Sequence, residues 1–161
     1  PTNLYGPKDN YHPTNSHVMA SLIRKFINAK NNSLPFVTCW GSGIPKREFM
    51  HVDDLARAVL FTLENWSPDD DNSPRDEFGN KLYFLNVGTG EDISIAKLAE
   101  KIALETNYKG KILWDTTKPD GTPQKKLNVD RLSSLGWKSI IKLEDGLKKT
   151  INELQKDKVF I

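Results

Sequence analysis

The sequence predicts an α/β fold, and the spacing of its apolar residues supports that prediction. Four long segments carry apolar residues at the spacing of helical turns, and short runs rich in β-branched and aromatic residues stand between them. Strands that alternate with helices form α/β layers, and no internal repeat divides the chain. The length of 161 residues suits one domain or a large piece of a bigger one.

The first two long helices have recognisable ends. The first begins near Ser16 and stops before Pro35, which cannot continue a helix. Asp53 is predicted to cap the second, because its carboxylate can accept the free amide protons of a first turn, and that helix runs to about Trp66. We expect its core-facing stripe to consist of Leu55, Ala56, Val59, Leu60 and Leu63.

Three further helices follow the same rules. Ser94 is predicted to cap a helix that ends near Asn107. A short helix covers 130–135 and is closed by Gly136, a common residue just after a helix. The last helix covers 143–155. Apolar residues at helical spacing predict its inward face, and these are Leu147, Ile151 and Leu154.

The remaining segments are read as strands, loops and turns. The predicted strands are 36–40, 47–52, 81–87 and 111–115. Residues 1–15 are rich in proline, asparagine and aspartate and are predicted to be loop, and 67–80 are predicted to be a solvated, mobile surface loop. The sequence KPDGTP at 118–123 has proline and glycine where a reverse turn favours them.

Composition excludes several classes of protein. Net charge is +2, from 23 basic and 21 acidic residues, and no long basic run is present, so nucleic acid is not the expected partner. No apolar run approaches the roughly 20 residues that span a bilayer, and no signal peptide opens the chain, so no membrane role is expected. A single cysteine, Cys39, excludes an internal disulfide framework and favours a reducing, cytoplasmic location.

Two short glycine pairs and two histidines could carry chemistry. Gly41-Ser42-Gly43 and Gly88-Thr89-Gly90 lack the third glycine of a dinucleotide fingerprint and are better read as turns. His51 and Asp53 resemble half a metal site, but no other ligand has useful spacing, so we expect no metal and a structural His51. His17 follows a polar loop and can exchange protons near neutral pH, although the residues alone favour a structural role.

A basic cluster surrounds the first glycine pair. Lys25, Lys46 and Arg47, with Trp40 between them in sequence, could meet on one face. Ammonium and guanidinium groups hold phosphates, and an indole offers a flat surface to a base or sugar, so the cluster is a candidate clamp for a nucleotide diphosphate. A solvated basic rim is an equally good interpretation. Cys39, next to this cluster, is predicted to fill the core.

These same segments carry a resemblance to a known family. The stretches are PTNLYGPKDNYHPTNSHV, WGSGIPKREFMHVDDLA, NVGTG and KPDGTP, in that order. Together they resemble the GDP-L-fucose synthases of the extended short-chain dehydrogenase/reductase, or NAD-dependent epimerase/dehydratase, family. The resemblance runs nearly end to end. It implies that residues 1–161 are the C-terminal, substrate-binding portion of such an enzyme: a remnant of a Rossmann-type sheet plus a small α/β substrate-binding domain.

The resemblance also implies a reaction. Such enzymes convert GDP-4-keto-6-deoxy-D-mannose to GDP-L-fucose by epimerisation at C3 and C5 and reduction at C4 with NADPH, and they are homodimers. The glycine-rich fingerprint, the Ser and Tyr-xxx-Lys catalytic residues and the catalytic cysteine would lie upstream of Pro1, together with most of the NADP site. We therefore expect residues 1–161 alone to have no reductase turnover.

The resemblance assigns roles to residues of this chain. His17 would be the acid of the epimerisation. The predicted NADP contacts are Pro1, Thr2, Asn3, Leu4 and His17. The predicted contacts to the GDP-sugar are Lys25, Trp40, Arg47 and Asp120. Two alternatives remain: the corresponding part of another nucleotide-sugar epimerase or dehydratase, and a non-catalytic module that binds nucleotide sugars.

Overall fold

The computed structural model describes residues 1–156 and is a mixed α/β structure, as predicted. Its strands are β1 (Asn3–Tyr5), β2 (Phe36–Trp40), β3 (Lys46–His51), β4 (Asp92–Ser94), β5 (Lys111–Asp115) and β6 (Gln124–Lys125). Its helices are α1 (Val18–Asn31), α2 (Val52–Asn65), α3 (Ile95–Glu105), α4 (Asp130–Ser134) and α5 (Leu143–Lys156). The predicted strands at β2 and β5 are confirmed residue for residue.

Strand β3 is the centre of the larger sheet. Its second half pairs with β1 in parallel, with Leu4 opposite Met50. Its first half pairs with β4 antiparallel and with β6 in parallel, so that Arg47 lies opposite Lys125. The other two strands, β2 and β5, form a separate parallel pair. Strand β3 therefore joins β1, at the start of the chain, to β4 and β6, which begin more than forty residues after β3 in the sequence.

The main core lies between α1, α3 and α5, with strand β2 against it. The predicted inward face of α5 is confirmed, and fully buried side chains of the three helices fill the centre: Ile23, Phe26, Leu98, Ile102, Leu147 and Ile151. Burying one side chain of this size contributes about 1.5–3 kcal/mol, so these helices supply most of the apolar stabilisation. Cys39 lies in this core, as predicted.

A smaller apolar group, the α2 cluster, consists of Met50, Ala58, Leu132 and Trp137. The predicted core-facing stripe of α2 is wrong except at Leu55, which is partly buried against this cluster. Leu60 and Leu63 are exposed, Leu63 to 77%, and the only buried residues of α2 are Asp54 and Ala58. The physical reason is that none of the described elements covers this face of the helix.

Two sequence predictions about strands are wrong. Residues 81–87 form no strand, and the side chains of Tyr83 and Phe84 are exposed. Strand preference reflects packing against neighbouring strands. Among residues 1–156, the backbone pairing of this segment is limited to the isolated bridge between Lys81 and Arg75 and one bond from the Thr2 amide to the Val87 carbonyl. Conversely, the segment predicted as loop at 1–15 contains β1.

The cap of α2 also differs from the prediction. His51, the last residue of β3, is the N-cap, and its Nδ1 accepts the Asp53 amide proton at 3.2 Å. Asp53 lies in the first turn, where its carboxylate accepts a hydrogen bond from Lys149 Nζ at 2.6 Å. The predicted cap of α3 is confirmed, because Ser94 Oγ accepts the Lys97 amide proton.

Across residues 1–156, none of the helices combines the length and the apolar character that crossing a bilayer requires.

Candidate functional site

A cavity of about 150 Å³ lies beside Trp40. It forms where the start of α1, the turn after β2, strand β3, the start of α3 and the turn at 118–123 meet. Its lining residues are Val18, Trp40, Gly43, Pro45, Arg47, Ile95 and Asp120. The structure therefore places three of the four predicted substrate contacts, from distant parts of the chain, around one space.

The turn at 41–43 forms one wall, and its backbone requires glycine. Gly41 has φ +80°, a conformation that favours glycine, and a Cβ there would collide with the Asp120 carboxylate. The Ser42 amide donates to Asp120 Oδ1 at 2.6 Å, and Ser42 Oγ donates to Oδ2 at 2.7 Å. These two bonds hold the pKa of Asp120 below its usual value, so the carboxylate is ionised at neutral pH.

The indole of Trp40 is 68% exposed and has two ammonium groups beside it. Lys25 Nζ lies 5.5 Å and Lys118 Nζ lies 5.7 Å from the ring centroid, within the range of cation–π attraction. Lys25 Nζ also donates to the Thr38 carbonyl at 2.9 Å. The fourth predicted substrate contact, Lys25, does not line the cavity but lies beside it, next to the Trp40 ring. Lys118 was not predicted, and the only sequence signal for it was its place in KPDGTP.

Arg47 and Lys46 are neighbours in β3 but do not share a site. Arg47 lines the Trp40 cavity, and its guanidinium lies beside Gly121. Lys46 lines a different groove, formed by β4, α3 and residues 139–144. Successive side chains of a strand point to opposite faces, so the prediction that Lys46 joins Lys25 and Arg47 on one face is wrong.

His17 is the N-cap of α1 and its side chain is exposed. Its ring makes no capping hydrogen bond, so the imidazole is not used to hold the helix. The next residue, Val18, lines the Trp40 cavity. His17 therefore lies one residue before the cavity lining, with its backbone fixed by the start of α1.

A second groove, of about 330 Å³, begins at the first residues of the chain. Its lining residues are Pro1, Thr2, Asn3, Lys125, Lys126 and Leu127. Leu4 points elsewhere and packs against the α2 cluster. The two lysine ammonium groups suit an anionic group such as a phosphate. Sequence reasoning missed both lysines because β6 is recognisable only from its pairing with β3.

Buried Glu48 holds this groove together. Its carboxylate accepts the amide protons of Thr89 at 2.6 Å, Gly90 at 2.8 Å and Leu127 at 2.8 Å. Its carbonyl accepts from Asn3 Nδ2 at 2.8 Å. The Gly88-Thr89-Gly90 segment is thus a turn around a carboxylate, which confirms that prediction. Glu48 positions both walls, and no local pattern marks it in the sequence.

His51 is buried at the junction of β3 and α2. Its ring lies edge-on to Tyr5, with 5.4 Å between the centroids, and within residues 1–156 its Nε2 has no hydrogen-bond partner. Burial lowers its pKa. The predicted structural role is confirmed by its capping bond. The described residues contain no group of three histidine, cysteine or carboxylate side chains placed to bind a metal ion.

Comparison with known proteins decides the family. Residues 1–74 match the model of the NAD dependent epimerase/dehydratase family. The chain is 48% identical over 158 residues to GDP-L-fucose synthase of Escherichia coli (strain K12), which covers 93% of this chain and 46% of that protein. The chain belongs to the NAD-dependent epimerase/dehydratase family. It is also 47% identical over 150 residues to putative GDP-L-fucose synthase 2 of Arabidopsis thaliana, covering 93% and 42%.

Solved structures agree with this assignment to the epimerase/dehydratase family. A GDP-L-fucose synthetase from Naegleria fowleri superposes with a TM-score of 0.82 at 28% identity, over 98% of this chain and 45% of that one. The same synthetase bound to NADP gives a TM-score of 0.79. The chain spans less than half the length of each of these three relatives. The resemblance seen in the sequence is confirmed.

Proposed function

We propose that this chain is the GDP-sugar-binding portion of an enzyme that converts GDP-4-keto-6-deoxy-D-mannose to GDP-L-fucose. One observation carries the proposal: Trp40, Arg47 and Asp120 line a single cavity, although eighty residues separate the first from the last. An exposed aromatic surface beside cationic groups suits a nucleotide diphosphate. The similarity to GDP-L-fucose synthases of bacteria and plants supports the choice of guanine nucleotide.

The substrate is held by charge at one end and by packing at the other. The Arg47 guanidinium and the Lys25 ammonium bind the diphosphate, and the Trp40 indole packs against the base or a sugar ring. Asp120 is ionised and accepts hydrogen bonds from donors on the ligand in addition to those from Ser42.

His17 supplies the acid of the epimerisation. The C4 ketone of the substrate acidifies the neighbouring C–H bonds at C3 and C5, so an imidazole that reaches those carbons can return protons to them. His17 is exposed and directly precedes Val18 of the cavity lining, and its side chain makes no capping hydrogen bond. NADPH, when bound, supplies the hydride that reduces the C4 ketone.

The groove at the start of the chain receives the nicotinamide end of NADP. Pro1, Thr2 and Asn3 form one wall for the nicotinamide end, and Lys125 with Lys126 gives the other wall a positive charge that suits a phosphate of the cofactor. The chain contains no GxxGxxG and no Tyr-xxx-Lys, so the rest of the NADP site belongs to a further portion of the enzyme. Residues 1–161 alone then have no reductase turnover, and the complete enzyme is a cytoplasmic homodimer.

Turnover by the complete protein tests the proposal. GDP-4-keto-6-deoxy-D-mannose and NADPH should yield GDP-L-fucose, followed by the loss of NADPH absorbance and by chromatography of the product. We expect His17→Asn to lower the rate of epimerisation at least about 100-fold, the scale of one general acid. His12→Asn, which alters an exposed histidine of the preceding loop, is the matched control. No product with the unaltered protein, or full activity of His17→Asn, would contradict the proposal.

A further inference from the structure

The turn at 118–123 is fastened to the turn at 41–43. Both oxygens of the Asp120 carboxylate accept hydrogen bonds from Ser42, one from its amide and one from its hydroxyl. The Asp115 carbonyl makes a second connection, because it accepts the Gly41 amide proton at 2.9 Å. Asp120 therefore joins two loops that lie 78 positions apart in the chain.

This fastening determines where Lys118 lies. The Lys118 amide donates to the Asp115 carbonyl at 3.2 Å, so the residue is fixed from the β5 side as well as through Asp120. Thr117 strengthens the β5 side, since its hydroxyl donates to Asp115 Oδ1 at 2.6 Å. The Lys118 ammonium consequently stands 5.7 Å from the Trp40 ring.

The result is a cluster of positive charge around one ring. Lys118 and Lys25 both lie within 6 Å of the Trp40 centroid, and Arg47 lines the cavity next to the same indole. Three like charges near one site repel one another, and a bound dianion relieves that repulsion. Asp120 offsets only part of this charge, and it is already hydrogen-bonded to Ser42.

We propose that Lys118 is a further ligand of the nucleotide diphosphate and that the Ser42–Asp120 contact is the positioning element that holds it beside Trp40. This inference rests on the proposed GDP-sugar site and adds a residue to it. In this proposal Asp120 positions Lys118, a role that does not require contact with the ligand. Removing Ser42 Oγ should then weaken binding, because it releases one oxygen of the Asp120 carboxylate.

Quenching of Trp40 fluorescence tests the charge around the ring without any ligand. Iodide is an anion and is concentrated by nearby cations, whereas acrylamide is neutral. In the complete protein, Lys118→Met should lower quenching by iodide and leave quenching by acrylamide unchanged, with Trp40→Phe used to subtract the other indoles. Lys118→Arg should restore the iodide effect. Equal iodide quenching of the Lys118→Met variant and the unaltered protein would overturn the inference.

Binding of GDP, measured by calorimetry, tests the ligand role. Lys118→Met should weaken GDP binding about tenfold, the lower end of what a hydrogen bond to a charged group contributes. Ser42→Ala should weaken it by a smaller factor, and Lys109→Met, which removes an exposed lysine beyond α3, should leave it unchanged. If the unaltered protein binds GDP and Lys118→Met binds it equally well, this inference alone fails. If the unaltered protein does not bind GDP, the proposed function fails and this inference fails with it.

Discussion

The main core and the α2 cluster contain helices with similar apolar patterns, but these helices differ in how many residues they bury. α1 and α2 each have fourteen residues and an apolar face. α1 buries seven of its residues, among them Phe26, and α2 buries only Asp54 and Ala58. The difference teaches that helical periodicity reports a face that can be buried. What covers the face is decided by other parts of the molecule.

The interactions that stabilise the two regions also differ. The main core is held by apolar contact between three helices. On the α2 side, the buried carboxylate of Asp54 accepts the amide protons of Ile140 at 3.1 Å and Ile141 at 2.9 Å, and it pairs with Arg57. A polar connection thus fixes α2 to the segment before α5, where apolar packing is sparse.

The largest expected effect separates the two apolar faces directly. Phe26→Ala should lower the free energy of unfolding by about 3–5 kcal/mol, because it leaves a cavity in a fully buried site. Leu63→Ala, the matched change on the exposed face of α2, should alter it by less than about 0.5 kcal/mol. Urea denaturation of both variants measures the difference. Equal losses would show that the α2 face is covered in solution.

A smaller effect tests the polar connection. Asp54→Ala should cost about 3 kcal/mol, since it leaves the Ile140 and Ile141 amides without an acceptor and Arg57 without its partner. Glu144→Gln breaks the exposed pair with Lys101 on the main-core side and should cost less than about 1 kcal/mol. The same denaturation experiment compares them. A cost for Asp54→Ala no greater than that for Glu144→Gln would refute the importance of the buried carboxylate.

Acid should destabilise the junction between the two regions through His51. Because burial lowers its pKa in the folded protein, the unfolded chain binds the proton more readily. The stability that neutral His51 contributes is complete above about pH 6.5, the ordinary pKa of histidine, and is lost as the pH falls below it. His51→Asn should flatten the pH dependence of the denaturation midpoint between neutral pH and about pH 5. An unchanged slope in that variant would contradict this assignment.

The titration of Asp53 does not overlap with that of His51. Hydrogen bonding from Lys149 lowers the pKa of Asp53, so its contribution is present above the ordinary aspartate pKa and is lost only as the pH falls below about 4. The histidine and aspartate windows therefore lie apart on the pH axis.

The parts of the fold that depend on local sequence could be predicted. Strands β2 and β5 were located to the residue, because each is a short β-prone run with breakers at its ends. The start of α3 was located through its serine cap. Strands β1, β4 and β6 were not, since each has only two or three residues and exists by pairing with β3.

The same distinction between local sequence and long-range contacts applies to the candidate site. Trp40 and Arg47 stand close in sequence, so a clamp near them could be inferred from residue types alone. Asp120 came from the resemblance to a family, because nothing local connects it to Trp40. Glu48 and Lys118 were missed, since their importance arises from contacts with residues about forty and eighty positions away. Distance along the chain, and not weakness of the interaction, limited the prediction.

The central claim is that the Trp40 cavity binds a guanine nucleotide diphosphate. Titrating the complete protein with GDP, UDP and dTDP, while following Trp40 emission against a Trp40→Phe control, tests it most directly. We predict saturable binding of GDP at least about tenfold tighter than that of the other two, a difference of 1.4 kcal/mol, with a clear loss in Arg47→Met. Equal affinity for all three nucleotides, or GDP binding that leaves Trp40 emission unchanged, would contradict the account.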